Sequence, residues 1–168
     1  MQSLIITVIG KDKPGIVDAI AKKVYQQNGN WLSSSFAHMA GMFTGFVEVQ
    51  VSEDSMDELV TAVGKIPDLD VHSIAVTTSP TELRNTLTID VMGNDKPGIV
   101  QELTGIFNQF NLNIVSFESR CESAPAWGSL MFKARAVIAV PDDFDEAALQ
   151  SALENRSNDL VVDISSGK

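Results

Sequence analysis

The segment Gly10-Lys-Asp-Lys-Pro-Gly-Ile-Val17 recurs as Gly93-Asn-Asp-Lys-Pro-Gly-Ile-Val100, with seven identities in eight at an offset of 83. The same offset aligns Leu4, Ile6 and Val8 with Leu87, Ile89 and Val91, and Asn28 and Asn30 with Asn111 and Asn113. A register that holds so far outside one segment marks duplication of a whole domain, and two copies at so long a period are not a solenoid. The 168 residues divide accordingly into a first domain at 1–78, a linker at 79–85 and a second domain at 86–168. Pro80, within Thr78-Ser-Pro-Thr-Glu-Leu-Arg84, breaks the chain between them.

Each copy carries the same order of periodicities. Leu4, Ile6 and Val8 alternate as a strand ending at Gly10, and Leu87, Ile89 and Val91 do so before Gly93. Ile16, Val17, Ile20, Ala21 and Val24 then recur at helical spacing and stop near Asn28-Gly29. Their counterparts are Ile99, Val100, Leu103, Ile106, Phe107 and Phe110. Two strands follow at about 31–40 and 43–51, and again at 114–122 and 129–140 around the turn Ser123-Ala-Pro-Ala-Trp-Gly128. Ser55-Met-Asp-Glu58 has the capping-box pattern and opens a helix with Met56, Leu59, Val60, Val63 and Ile66 on its apolar face. Its counterpart starts near Asp143 and carries Phe144, Ala148 and Ala152, and each copy closes with a strand, at 69–77 and 159–165. The order β-α-β-β-α-β, twice, predicts an α+β chain of two ferredoxin-like domains, each an antiparallel sheet with helices on one face. The other face, or a sheet edge, is left to meet a partner, and a homodimer is one expected use of such edges.

Composition narrows the function classes. A net charge of −10 repels phosphate backbones, and the twelve Lys and Arg form no patch, so no direct nucleic-acid contact is expected. No apolar run reaches the ~20 residues of a membrane span, and Met1-Gln2-Ser3-Leu4-Ile5-Ile6 reads as a strand, not a signal peptide. The one cysteine, Cys121, makes no internal disulfide and suits a reducing, cytoplasmic compartment.

The repeated residues cluster at the first strand-to-helix turn. Pro14 and Pro97 suit a first helical turn, Gly15 and Gly98 allow close backbone approach, and Asp12 and Asp95 can accept from free amides there. One reading is simply a well-capped turn. The other is that amides at the helix start, with Lys13 or Lys96 nearby, hold a small carboxylate. Asp12 competes for those amides, and can instead face the ammonium of an amino acid. Asn30 and Asn113 open the second strand, expected beside the first, and can meet a ligand at the loop or satisfy a turn.

The two loops, each between a strand and a helix, resemble the ACT domain signature. Two such domains filling a chain look like the glycine cleavage system transcriptional repressor family. The resemblance implies amino-acid binding at domain interfaces, near Asp12, Lys13, Pro14, Gly15, Ile16 and Asn30, and near Asp95, Lys96, Pro97, Gly98, Ile99 and Asn113. It also implies repression by contact with a transcriptional activator, of the LysR type, with glycine as a candidate effector and no cofactor. Around the loops the copies diverge: Trp31 stands against Ile114 and Gly29 against Leu112, so the two sites are not expected to be equivalent. The alternative is a tandem ACT sensor, or a scaffold, with a partner outside glycine metabolism.

No set of residues supports catalysis. His38 and His72 fall on different strands and are not repeated as histidines, and neither belongs to a helical H-E-x-x-H. One cysteine makes no Cys-rich zinc site, and Cys121 alternates with Val115, Phe117 and Ser119 as a packed strand residue would. Ser33-Ser34-Ser35 and His38 lie too close along one strand for a triad. RNA binding wants basic character and stacking aromatics, whereas Trp31, Trp127, Phe36, Phe43 and Phe46 read as core or interface. Copper handling wants paired thiols where Asp-Lys-Pro-Gly stands.

Overall fold

Alternation of apolar residues builds β1 (Gln2–Lys11), which buries Leu4, Ile6 and Val8 and leaves Thr7 and Ile9 exposed on the opposite face. It leads into α1 (Ile16–Gln26), whose Ile16, Ile20 and Val24 are buried at helical spacing. Next come β2 (Asn30–Met39), β3 (Met42–Val51), α2 (Met56–Gly64) and β4 (Leu69–Val76). The second copy repeats the order as β5 (Asn85–Asn94), α3 (Ile99–Gln109), β6 (Asn113–Ser123), β7 (Leu130–Val140), α4 (Glu146–Arg156) and β8 (Leu160–Ser166). The computed structural model describes residues 2–76, 85–123, 128–156 and 159–166. The chain divides into two units, Met1–Thr81 and Glu82–Lys168. Most of the expected linker and of the turn after β6, Trp127 included, lies outside the described residues, and Asn85 already belongs to β5.

Each unit holds a four-stranded antiparallel sheet, in the orders β2-β3-β1-β4 and β6-β7-β5-β8. The helices cover one face. In the first unit Ile20, Val24, Leu59 and Val63 close over Leu4, Ile6, Val8, Val47 and Val49. In the second, Leu103, Phe107, Leu149 and Leu153 close over Leu87, Ile89, Val91, Ala136 and Ile138. Each such aliphatic side chain taken fully from water contributes about 1.5–3 kcal/mol, which is what holds helix to sheet.

Several local expectations change on packing. Ser55 makes no cap to the amides of α2; a single 3-10 turn (Glu53–Ser55) precedes the helix, and the Ser52 hydroxyl donates to Ser55 Oγ at 2.9 Å. The cap of α4 is Asp145, two residues past the expected start at Asp143, whose Oδ1 accepts from the Ala148 amide at 3.0 Å. Leu149 and Leu153 anchor this helix, with Phe144 and Ala152 only partly buried against the core. Asn28 and Asn111 both have positive φ, 53° and 54°, and end the first helix of each unit in the left-handed conformation that asparagine tolerates.

Candidate ligand-binding loops

The repeated Lys-Pro-Gly-Ile is a type II β-turn. Gly15 has φ 89° and ψ 4°, and Gly98 φ 89° and ψ −2°, the values of the third residue of that turn. The Ile99 amide donates back to the Lys96 carbonyl at 3.4 Å. Pro14 and Pro97 therefore hold the second turn position, before the helix rather than in its first turn. Nothing lies within 4 Å of where a Cβ would stand on Gly15 or Gly98, so the positive φ, not close approach, requires glycine. Close approach belongs to Gly10 and Gly93 instead: a Cβ there would lie 2.1 Å from the Asp68 carbonyl oxygen and 2.5 Å from that of Asp159.

The first intrahelical bonds run from the Ala19 amide to Gly15 O and from the Glu102 amide to Gly98 O, both at 2.9 Å. No side chain caps either helix. Asp12 and Asp95 thus do not accept from the helix amides. Their own amides donate to Gly41 O at 3.1 Å and Leu130 O at 3.0 Å, which ties each loop to the hairpin beside it. The Asp12 carboxylate lies 3.6 Å from His38 Nε2. In the second unit Asp95 has the thiol of Cys121 as its neighbour, and its charge and hydrogen bonding help to raise that thiol's pKa. Cys121 follows His38 at the same offset of 83 that relates Asp95 to Asp12. The sequence reading missed these pairs, although the offset itself signals them.

A repeated β-bulge, between Trp31 and Ser33 and between Ile114 and Ser116, adds one residue to each edge strand. Beyond it His38 pairs with the buried Phe43, and Cys121 with the buried Phe132, so both stand on the helix-covered side. Cys121 itself is exposed rather than packed. Local desolvation first, then the Asp95 charge and its hydrogen bond, push the thiol above its ordinary range. Along the same side of β2, Trp31 Nε1 donates to Ser34 Oγ at 3.2 Å, and Phe36 stacks on Phe43 with ring centres 5.1 Å apart.

The lysines part company. Lys13 Nζ donates to the Pro67 carbonyl at 2.9 Å and pairs with Asp68 at 3.3 Å, bridging the loop to the turn before β4. Lys96 Nζ instead pairs with Glu102 on α3 at 3.2 Å. Ile16 and Ile99 are buried, each 4% exposed, and serve the cores.

The asparagines are not at the loops. β2 pairs with β3, not with β1, and Asn30 stands opposite Gln50, which stands opposite Ser3. The loop leaves the other end of β1, at Lys11. Eight residues of strand separate the two levels, roughly 26 Å. Asn113 opens β6 opposite Ala139, which pairs with Thr86 at the same far end of its own sheet. Within one unit, a small ligand at the loop does not reach its asparagine.

Among the described residues no cluster of His, Cys, Asp or Glu is arranged to hold a metal, and no helix is long and apolar enough to cross a membrane.

Comparison with known proteins places this geometry. A family model for the ACT domain matches residues 2–70 and 85–121. A UPF0237 protein of Methanococcus maripaludis is 37% identical over 68 residues, spanning 39% of this chain and 76% of that relative. The fold of an unknown protein from Galdieria sulphuraria superposes with a TM-score of 0.86 at 23% identity, over 99% of both chains. A candidate glycine cleavage system transcriptional repressor superposes with a TM-score of 0.72 at 21% identity, over 99% of this chain and 98% of that one.

Proposed function

This chain belongs to the ACT domain family, and from that premise we propose that it is a non-enzymatic, amino-acid-responsive regulator that represses glycine cleavage through contact with a transcriptional activator. The supporting observation is the duplicated loop. In both units an uncapped helix start, whose amides attract a carboxylate, stands beside an aspartate suited to an ammonium. An α-amino acid presents both charges on adjacent atoms. The ligand-binding residues we assign are Asp12, Lys13, Pro14 and Gly15 in the first loop, and Asp95, Lys96, Pro97 and Gly98 in the second. Ile16 and Ile99 hold the loops from beneath. Asn30 and Asn113, at the far ends of their sheets, are set aside from these loop sites.

The acidic chain, at −10, favours action through a protein over direct DNA contact. Full-length likeness in fold to a candidate glycine cleavage repressor supports that activity and makes glycine the first effector to test. Effector binding then changes affinity for the activator, and linkage requires the activator to change effector affinity by the same factor. Calorimetry with a panel of amino acids, glycine included, with and without a LysR-type activator, tests this. Heats from glycine that grow or shrink with activator present support the reading. Silence across the panel, or a shift of DNA by the pure protein at physiological salt, overturns it.

A further inference from the structure

The first helix of each unit ends in a Schellman turn. Asn28 and Asn111 hold the left-handed position, with φ 53° and 54°. Their amides donate to Tyr25 O and Asn108 O, both at 3.0 Å. The amides that follow, of Gly29 and Leu112, donate to Val24 O at 2.9 Å and Phe107 O at 3.0 Å. The residue after the asparagine is where the two units differ. Leu112 is buried in the core of the second unit. At Gly29 a Cβ would stand 2.8 Å from Val51 Cγ1 and 3.0 Å from Val24 Cγ1, so those methyl groups already fill the space of a side chain. Packing thus demands glycine directly after an asparagine, and no other asparagine of the chain is followed by one.

Asparagine is among the chemically labile side chains, and a following glycine leaves the neighbouring amide unshielded. That amide nitrogen, having lost its proton to solvent, can attack the side-chain carbonyl carbon. The bond to the side-chain nitrogen breaks, ammonia leaves, and a succinimide ring closes. Water then opens the ring at either carbonyl, giving aspartate or isoaspartate, so the sum is one water consumed and one ammonia released. Asn28 is exposed, and water reaches it. In the closed turn, however, the Gly29 N–H is spent on Val24 O and the Asn28 backbone is held left-handed, which keeps the nucleophile turned into the helix. Both restraints lift together when the last turn of α1 opens.

We propose that Asn28 is a one-way modification site that deamidates through Gly29 when the end of α1 opens, and so records that opening in the covalent chain. The isoaspartate product carries the main chain through the former side-chain methylene. It adds one carbon to the short connection between α1, which ends at Gln26, and β2, which starts at Asn30. A Schellman turn does not accommodate the added carbon, so the helix end does not close again. β2, whose far end brings His38 to Asp12, then loses its fixed start. In the second unit Leu112 shields the equivalent amide and the site is missing. This inference is independent of any ligand or partner.

Peptide-resolved mass spectrometry of the full chain, with isoaspartate assay, tests it at mildly alkaline pH with and without guanidinium chloride. Asn28→Gly, which keeps a residue suited to positive φ and removes the reacting amide, is the blank. In denaturant Asn28 is expected to convert far faster than Asn111. In the folded chain it converts at roughly a tenth of the denatured rate or less, since only the open fraction reacts. Val24→Ala, which loosens the last turn, raises the folded rate several-fold, and isoaspartate-containing chains unfold at lower denaturant than unmodified ones. Equal rates in folded and denatured chains, a denatured rate at Asn28 no higher than at Asn111, or modified chains as stable as unmodified ones would each overturn the proposal.

Discussion

His38 Nε2 lies 3.6 Å from Asp12 Oδ2, joining the far end of β2 to the loop after β1, and Cys121 meets Asp95 at the equivalent place in the second unit. The duplicated loop therefore carries the same carboxylate with two different neighbours. The His38 ring stands where a ligand's ammonium would meet Asp12, whereas a thiol is a weak hydrogen-bonding neighbour that gives way more easily at Asp95. If amino acids bind as proposed, Asp95→Asn lowers affinity more than Asp12→Asn does. Calorimetry on the two variants reads this directly, and the reverse ranking would count against the role given to His38.

The thiol supplies an independent check of the same pair. Local desolvation first, and then the Asp95 charge and hydrogen bond, hold the Cys121 thiol above its ordinary range, and the thiolate is the reactive form. Asp95→Asn removes the charge, so alkylation of Cys121 by iodoacetamide at mildly alkaline pH speeds up, while the desolvation part of the shift remains. An unchanged or slower rate would show that Asp95 does not set the thiol's state.

The two repeated glycines of each loop are needed for different reasons. At Gly15, with φ 89° and open space around it, alanine pays only for a left-handed backbone, about 1–2 kcal/mol. At Gly10 a Cβ would stand 2.1 Å from a backbone oxygen, which forces β1 and the turn before β4 apart and costs about 3 kcal/mol. Urea denaturation of Gly10→Ala and Gly15→Ala should rank them in that order.

Phe107 is 1% exposed between α3 and its sheet. Phe107→Ala removes the largest fully buried side chain among the described residues and leaves a cavity, costing about 3–5 kcal/mol. Val100, 40% exposed on the same helix, should lose well under 1 kcal/mol as Val100→Ala, on the order of other surface changes. Thermal or denaturant unfolding separates the two.

On the uncovered face of the second sheet, hydrogen bonds from Lys133 and then Arg120 hold the Glu122 carboxyl below its ordinary value of 4.5. A native titration midpoint below the unfolded one means that the interaction is fully present above the unfolded value and is lost as pH falls through the lowered one. Solvent keeps the effect on stability small. Carboxyl-resolved NMR should therefore show Glu122 titrating low, and Lys133→Met should raise its midpoint. A midpoint unmoved by that change would mean the pair is not populated in solution.

The tandem architecture was legible in the sequence because both periodicities are local. Leu4, Ile6 and Val8 alternate and are buried, Ile16, Ile20 and Val24 recur at helical spacing and are buried, and the offset of 83 repeats both. The loop was legible as a motif, since Pro-Gly dictates a turn through its own backbone preferences. What that turn faces was not.

Only the tertiary structure decided that β3, not β2, lies beside β1, and so put Asn30 roughly 26 Å from the loop it was expected to serve. The paired bulges that bring His38 to Asp12 and Cys121 to Asp95 also belong to strand pairing. The parting of Lys13 toward Asp68 from Lys96 toward Glu102 is likewise a matter of side-chain partners met only in the folded chain. Backbone preference and hydrophobic period act over a few residues and are written along the chain. Strand order, register and side-chain partners are settled by groups distant in sequence competing for the same neighbours, and there two copies of one motif come to differ.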